Sequence, residues 1–268
     1  MERLSYAFAD GIAIAGRNVT KIKRVPEILV GVLVMPLIFV FMFAYVFGGS
    51  IEVPGGSYRE FLVGGAFALI LTFGATFTGA GLADDMQKGI VNRFRSLPMS
   101  RSAVVFGRTA SDVIYNVLSL MVMAAAGLLV GWRIHNGIGS ALLGFALLLL
   151  FAYAISWIMA YVGLRVRSVE AVNNASSMVI FPFTFISNTF VPAENLPTPL
   201  RAFAEWNPVS AVTQAARELF GNIPPEASVP TVWSLQNPVL YTIICIAIIL
   251  AVFAPLAVRR YRTASTKS

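Results

Sequence analysis

Several groups on which soluble enzymes depend are scarce in this chain of 268 residues. It holds one cysteine and one histidine, too few for the usual nitrogen and sulfur ligands of a metal site or for an intrachain disulfide. With His135 predicted in a short exposed loop, no Ser/His/acid arrangement is credible. A G-x-x-x-x-G-K-[ST] phosphate loop is also missing, so we do not expect this polypeptide to hydrolyse ATP by itself. The sequence therefore predicts no catalytic residue, metal site or cofactor site on this chain.

Charged residues are scarce as well, at 12% of the chain, whereas 57% of the residues are hydrophobic. The mean hydropathy of +0.75 is too high for an ordinary soluble domain. The net charge of +7 could indicate a nucleic-acid partner, but the basic residues lie between long apolar runs instead of forming one polar surface. The composition thus predicts an integral membrane protein that binds no nucleic acid.

Six apolar runs are long enough for the roughly 20 residues that a transmembrane helix needs. They predict a single all-α membrane domain over 1–268. The third run is extended to Ala103, which places Arg108 and Asp112 in its first turns, where at i,i+4 they can pair on one face. The predicted spans are 28–50, 61–83, 103–132, 136–164, 171–193 and 234–258.

The distribution of basic residues predicts the orientation of these spans. Placing both termini, the 84–112 region and the 165–170 loop on one side collects 16 Lys and Arg residues there, against four on the other side. Cytoplasmic loops carry the excess of Lys and Arg. We therefore expect both termini to be cytoplasmic.

Residues 1–26 are predicted to form an amphipathic helix. Apolar residues recur at helical spacing from Leu4 to Ile22, and charged residues recur on another face. Such a helix, ended by Pro26, suits the cytoplasmic interface of a membrane. A soluble helix packed on a partner is the alternative.

The loop 84–101 after the second span is short and charged. Its residues Ile90, Phe94 and Leu97 recur at i, i+4 and i+7 before Pro98. This spacing favours a short helix whose apolar side enters a partner's groove.

The segment 192–225 after the fifth span mixes charged and apolar residues. Asn207 followed by Pro208 is typical of a helix N-cap with proline at the first helical position. We predict two short amphipathic helices that lie in or dip into the outer leaflet, with Trp206 and Trp233 as interfacial anchors.

Two stretches resemble a known family, the ABC type-2 exporter permeases, and most closely their daunorubicin-resistance branch. One is Asp85 to Arg101, which contains Gly89 and the run Arg93-Phe94-Arg95-Ser96-Leu97-Pro98. The other runs from Val191-Pro192 through Asn195-Leu196-Pro197 and Trp206-Asn207-Pro208 to Arg217. Asp84-Asp85-Met86 stands where many relatives begin the loop with glutamates, so no glutamate role is carried over.

The resemblance implies a complex in the bacterial cytoplasmic membrane. Two permease subunits, either two copies of this chain or this chain and a sister permease, would pair with two separate ATP-binding subunits that carry ATP and Mg²⁺. The segment 85–98 would be a coupling helix seated in a cleft of the ATP-binding subunit. The residues implied in this contact are Asp85, Gly89, Arg93, Phe94, Arg95, Leu97 and Pro98, and those of the outer helices are Asn195, Pro197, Trp206, Asn207, Pro208 and Arg217.

The fifth span carries polar residues near one predicted helical face, and polar stripes in lipid usually point inward. They suggest a substrate path, although hydrogen bonds between helices explain the same pattern. The residues of this predicted path are Asn173, Ser177, Phe181, Thr184, Phe185 and Asn188.

The sequence therefore predicts the membrane-spanning subunit of an ATP-driven exporter for a hydrophobic or amphipathic molecule. A drug or antibiotic is preferred as substrate, followed by a lipid or lipid-linked glycan. The alternatives are an ion-driven or passive carrier and a membrane scaffold without transport of its own.

Overall fold

A computed structural model describes residue 34 and residues 36–47, 56–90, 101–166, 168–224 and 229–263, and within these ranges the chain is helical without strands. The predicted helix 1–26 and the start of the first span lie outside them. The π-helical turn Phe43–Phe47 overlaps the end of the first helix, and a 3₁₀ turn covers Ala193–Asn195. The helices are α1 (Pro36–Val46), α2 (Tyr58–Gly74), α3 (Thr76–Gln87), α4 (Arg101–Val130), α5 (Gly137–Gly163), α6 (Val169–Phe185), α7 (Thr198–Glu205), α8 (Pro208–Phe220), α9 (Trp233–Gln236) and α10 (Pro238–Thr263).

Four helical segments among the described residues are long and apolar enough to cross a membrane. They are Tyr58–Gln87, formed by α2 and α3, and then Val105–Val130, Gly137–Gly163 and Pro238–Tyr261. These segments overlap the second, third, fourth and sixth predicted spans, with different bounds. The described part of the first predicted span is the shorter apolar helix Pro36–Val46.

The fifth predicted span, 171–193, is too long. Its helix α6 begins at Val169, capped by the Ser168 hydroxyl, and ends at Phe185 because Ile186 adopts φ −91° and ψ 60°. The backbone carbonyls freed at this end bind side chains from elsewhere: the Asn207 amide donates to the carbonyls of Phe183 and Ile186. Long-range hydrogen bonds therefore replace the last helical turns, which an apolar run alone does not reveal.

Small residues let the continuous α2–α3 segment pack closely against its neighbours. A Cβ atom added at Gly79 would lie 2.7 Å from the carbonyl oxygen of Met159 on α5. A Cβ atom at Gly65 would clash with the backbone of Thr189. Both contacts are with backbone atoms of the same polypeptide. The backbone at Met159 and Thr189 can pack this closely because glycine has no side chain.

The helices bring the loops together at two ends of the bundle. We call the end formed by residues 56–61, 130–137, 186–224 and 229–238 the cap end, where the His135 imidazole lies 2.9 Å from the Glu60 carboxylate. We call the opposite end, formed by residues 78–90, 105–112, 163–166, 168 and 257–263, the loop end. Next to the cap end an aromatic core joins α2, α5, α8 and the α4–α5 loop; its rings are Phe67, Trp132, Phe145 and Phe220.

The cap end contains the two short helices predicted after the fifth span, α7 and α8. Asn207 caps α8, and its Oδ1 accepts a hydrogen bond from the Val209 amide over 2.9 Å. Gly221 ends the helix at φ 76°. Nearly all of α8 is buried against α2, α5 and α10, so α8 forms part of the bundle, whereas α7 leaves most of its side chains exposed.

Candidate functional site

The start of the predicted coupling loop forms the last turn of α3 at the loop end. Asp85 is buried, whereas Lys88 is exposed and pairs with Asp84, its Nζ lying 2.8 Å from the Asp84 carboxylate. Gly89 adopts φ 65° with open space around it, a backbone conformation that suits glycine and ends the helix. The remaining implied coupling residues lie outside the described residues: Arg93, Phe94, Arg95, Leu97 and Pro98.

A buried polar cluster joins the two helices on either side of that loop. The Thr78 hydroxyl on α3 donates to the Asp112 carboxylate on α4. Arg108 lies one turn before Asp112, with its Nε 3.8 Å from Asp112 Oδ2, which confirms the predicted i,i+4 pair. The Arg108 guanidinium also donates to the Phe77 carbonyl over 3.0 Å. We call Thr78, Arg108 and Asp112 the loop-end cluster.

The loop-end cluster is incompletely satisfied. Among the described residues, buried polar atoms without a hydrogen-bond partner include Arg108 Nε, Asp112 Oδ1 and Asn116 Nδ2. Asp112 lies seven residues, about 10 Å at 1.5 Å per residue, inside the apolar segment Val105–Val130. Charged groups inside such a segment are costly unless paired, so the Arg108–Asp112 pair is the charged feature of this span. The hydrogen bond from Thr78 to Asp112 joins residues 34 positions apart, so no local sequence pattern predicts it.

The six residues of the predicted substrate path do not share one face of α6. Asn173, Ser177, Phe181 and Phe185 point outward from the subunit and are exposed. Thr184 lies instead on the packed face, where its hydroxyl donates to the Ile180 carbonyl over 2.7 Å. The prediction of a single stripe is therefore wrong at Thr184, which follows Ile180 by one helical turn and shares its buried side.

Asn188 also departs from the predicted stripe, because α6 ends three residues before it. Its side chain is buried at the cap end, with its amide donating to Gln214 Oε1 on α8 over 3.3 Å. Its backbone N–H binds the Ser210 hydroxyl over 3.1 Å. The chain after α6 is therefore attached to α8.

Arg217 on α8 is the centre of the cap end and is 1% exposed. Its Nε donates to the Phe61 carbonyl over 2.9 Å, and its two terminal nitrogens donate to the carbonyls of Asn188 and Thr189 over 2.9 and 3.0 Å. The guanidinium carbon lies 3.5 Å from the centroid of the Phe61 ring. One side chain thus holds α2 and the end of the α6 segment against α8.

The charge of Arg217 is kept despite its burial. Desolvation lowers its pKa to about 9, which is still above neutral pH. Sequence reasoning identified Arg217 only through the family resemblance. A local signal was available, because Arg217 follows Thr213 by four residues and precedes Phe220 by three, which places it on the apolar, core-facing side of α8.

The other implied residues of the outer helices occupy the rim of the cap end. Asn195 lies in the 3₁₀ turn and Pro197 directly precedes α7; both are exposed. Trp206 follows α7 and is half exposed, with its ring 6.0 Å from that of Tyr241. Its backbone carbonyl accepts a hydrogen bond from the Tyr241 hydroxyl over 2.8 Å.

The sequence of this chain is similar to those of known membrane transport proteins. Residues 11–220 match the ABC-2 type transporter family. The chain is 32% identical to the daunorubicin resistance ABC transporter permease protein DrrB1 of Streptomyces coeruleorubidus. The alignment spans 247 residues, which are 92% of this chain and 83% of that protein. A second relative, the probable doxorubicin resistance ABC transporter permease protein DrrC of Mycobacterium tuberculosis H37Rv, is 25% identical and covers 75% and 73% of the two chains.

A third relative is also described as a transport permease. The putative transport permease ycf38 of Pyropia yezoensis is 23% identical over 216 residues, which are 79% of this chain and 74% of that protein. The family match covers more than half of the chain, and the similarity to the Streptomyces protein covers 92% of this chain. This chain therefore belongs to the ABC-2 type transporter family and is a multi-pass membrane protein.

Proposed function

We propose that this chain is the membrane-spanning subunit of an exporter that moves a hydrophobic or amphipathic molecule and is driven by a separate ATP-binding subunit. The observation that carries the proposal is the similarity to an ABC transporter permease across 92% of the chain. Its relatives are named for daunorubicin and doxorubicin resistance, so a drug or antibiotic is the preferred substrate, ahead of a lipid or lipid-linked glycan.

In this proposal the loop end faces the cytoplasm and the segment 85–98 contacts the ATP-binding subunit. The excess of Lys and Arg on that side supports the orientation. The loop-end cluster supports the mechanical role, because the Thr78–Asp112 hydrogen bond ties together the two helices that enter and leave the segment. A push on the segment would then move α3 and α4 as one unit.

A second permease subunit would complete the transporter. Asn173 and Ser177 on α6 face away from the subunit and are exposed, and uncovered polar side chains are costly in lipid. Contact with a second permease would cover these residues or place them along a shared substrate path. The complex would contain two permeases and two ATP-binding subunits, with ATP and Mg²⁺ on the latter.

The first test is to purify the tagged protein gently from its native membrane and identify its partners by mass spectrometry. We expect a stoichiometric protein with a phosphate-binding loop. Phe94→Asp should release that partner while the permease stays inserted, because an acidic side chain would occupy the proposed apolar contact. Lys88→Ala is the matched control, since it removes only the exposed pair with Asp84.

Three outcomes of this experiment separate the candidate functions. Loss of the partner in Phe94→Asp but not in Lys88→Ala supports the coupled permease. Normal complex formation and export in Phe94→Asp would contradict the proposed contact. Repeated isolation of folded protein without any ATPase would favour an ion-driven or passive carrier, or a scaffold.

A further inference from the structure

Three arginines form a positive patch at the loop end, where the helices α5 and α10 end beside each other. Arg165 follows the end of α5, and Arg259 and Arg260 lie near the end of α10. Nε of Arg260 donates to the Leu164 carbonyl over 3.4 Å, so Arg260 lies next to Arg165. Arg165 and Arg259 are exposed, and Arg260 is partly exposed. We call these three residues the arginine patch.

The arginine patch keeps its positive charge. Among the described residues, none of the three arginines forms an ion pair with a carboxylate. The C-terminal ends of the two helices carry a partial negative charge of about half an elementary charge each. Three guanidinium groups outweigh these two helix ends, so the patch favours an anionic partner.

Contacts within the subunit hold two of the guanidinium groups at the seam between α5 and α10. The Arg165 guanidinium carbon lies 5.3 Å from the centroid of the Tyr161 ring, and this ring lies 6.1 Å from that of Phe253 on α10. Arg260 uses its Nε for the Leu164 carbonyl, and its two terminal nitrogens have no hydrogen-bond partner among the described residues. Such N–H groups match the oxygen atoms of a phosphate.

An apolar stripe on α10 leads directly to the arginine patch. Ile248, Val252 and Leu256 are exposed and recur every four residues, and Arg260 follows Leu256 by the same step. Residues at this spacing lie on one face of a helix. Only 17% of the residues in the apolar stretch of α10 are buried, against 39–72% in the other three long segments. The stripe is therefore open to the acyl chains of the membrane.

We propose that the arginine patch and the apolar stripe together bind one anionic phospholipid in the leaflet at the loop end. Its phosphate would lie at Arg165 and Arg260, and an acyl chain would follow the stripe on α10. A lipid fits better than a free phosphate ion because the apolar stripe continues from the patch. The lipid would connect the ends of α5 and α10 from outside the bundle. This site goes beyond the proposed export function and does not depend on it.

The test uses the full chain in mild detergent micelles, together with any partner that it retains, and native mass spectrometry. The probes are phosphatidylglycerol and phosphatidylcholine with the same palmitoyl and oleoyl chains. Both contain a phosphate, but the choline group adds a positive charge that the patch repels. We expect the wild type to bind phosphatidylglycerol about 10-fold more tightly than phosphatidylcholine, as two arginines near one net negative charge allow.

Substitutions in the patch should reduce this preference. Arg165→Gln and Arg260→Gln should each lower it about 3-fold, and the double variant should bind the two lipids equally. Lys88→Gln is the matched control, because it removes one positive charge at the same end, from a side chain that pairs with Asp84. The control should keep the wild-type preference. If the double variant fails to fold, Arg165→Gln alone decides, since its side chain is exposed.

Glycerol 3-phosphate separates a lipid site from a simple anion site. At the concentration of the lipid it should leave phosphatidylglycerol bound, because it has no acyl chain for the stripe. Displacement of the lipid by glycerol 3-phosphate would overturn the proposal. Equal binding of the two lipids to the wild type would also overturn it, as would an unchanged preference in Arg165→Gln or an equal loss in Lys88→Gln.

The ATP-binding partner is measured in the same samples. If the double variant loses that partner but keeps the lipid preference, the patch belongs to the contact with the ATP-binding subunit and the lipid site is refuted. A retained partner without selective lipid binding would also refute the lipid site alone. Selective lipid binding without any ATPase would support the site and contradict the proposed export function.

Discussion

Arg217 at the cap end and Arg108 at the loop end both lie against the interior of the bundle, but their surroundings differ. Arg217 binds three backbone carbonyls at 2.9–3.0 Å and covers an aromatic ring. Arg108 binds one carbonyl and lies 3.8 Å from its carboxylate partner, with its Nε unbonded. Arg217 is therefore fixed by a hydrogen bond from each of its three nitrogens, whereas Arg108 and Asp112 each keep a buried polar atom without a hydrogen-bond partner among the described residues.

This difference agrees with the proposed direction of the mechanical signal. The Thr78–Asp112 hydrogen bond keeps α3 and α4 together as one unit, and the unbonded Arg108 Nε and Asp112 Oδ1 allow that unit to shift against the rest of the bundle. The three hydrogen bonds of Arg217 instead hold the cap end in one arrangement. The following predictions test that contrast, beginning with the largest expected effect.

Replacing Arg217 should cause the largest loss of stability. Arg217→Met leaves the carbonyls of Phe61, Asn188 and Thr189 buried without these donors, and we expect a loss of about 3–5 kcal/mol in the free energy of unfolding. The control Arg201→Met removes a partly exposed pair, worth about 0.5 kcal/mol. Denaturant unfolding in detergent micelles measures both. Equal losses in the two variants would show that Arg217 is not the anchor of the cap end.

One glycine-to-alanine substitution at each end sharpens the comparison. At Gly65 a new Cβ atom would meet the Thr189 backbone, the same segment that Arg217 holds, whereas at Gly81 it would meet the mobile end of the Arg108 side chain. We expect Gly65→Ala to cost about 2–3 kcal/mol through overpacking, and Gly81→Ala to cost less than about 1 kcal/mol because Arg108 can move.

Gly139 provides the reference for these two variants. It lies in α5 with open space around its Cα atom, so Gly139→Ala should stabilise the helix by up to about 1 kcal/mol. Unfolding midpoints of the three variants in the same detergent give the ranking. A Gly81→Ala variant as unstable as Gly65→Ala would mean that the loop end is packed as rigidly as the cap end.

Asp112→Asn tests the loop end by its effect on coupling. We expect a modest stability loss of about 1–2 kcal/mol, because Arg108 is partly solvated and keeps its bond to the Phe77 carbonyl. In the reconstituted complex, transport per ATP hydrolysed should fall while ATPase binding is retained. Asp84→Asn, which alters an exposed pair at the same end, should leave this ratio unchanged. If Asp112→Asn transports as much per ATP hydrolysed as the wild type, the loop-end cluster has no role in coupling.

Local patterns in the sequence were sufficient for much of the fold. Four apolar runs became long helices, and the Asn207-Pro208 dipeptide became a helix cap, because both depend on residues within a few positions of each other. The end of α6 could not be predicted in this way. Its carbonyls bind Asn207, which is 21 and 24 residues further along the chain.

The same limit applied to the candidate sites. Arg217 binds carbonyls 28, 29 and 156 residues away, and the partner of Asp112 is 34 residues away. Sequence spacing identified the pairing of Arg108 with Asp112 because it is local. It misplaced Thr184 because a one-residue difference in helical phase decides between the packed and exposed faces of α6.

The smallest predicted effect is a pH dependence at the cap end, because the Glu218 side chain is only partly buried and solvent weakens its contribution. Burial raises the pKa of the Glu218 carboxyl to about 7, above its value in the unfolded chain. The folded protein then retains a proton that the unfolded chain has lost, so the contribution of Glu218 to stability should fall as the pH rises from about 4.5 to about 7 and then level off. Glu218→Gln should remove this part of the profile.

Thermal unfolding of the wild type and Glu218→Gln between pH 5 and 8 isolates the effect, because other groups, including the His135–Glu60 pair, are common to both proteins. Glu170→Gln, at an exposed position at the start of α6, serves as the control and should follow the wild-type profile. If Glu218→Gln also follows it, the Glu218 carboxylate is solvated in the folded protein. Arg217 would then be shielded from water while its neighbour Glu218 is not, so that only the side of α8 that binds the backbone carbonyls would be inaccessible to solvent.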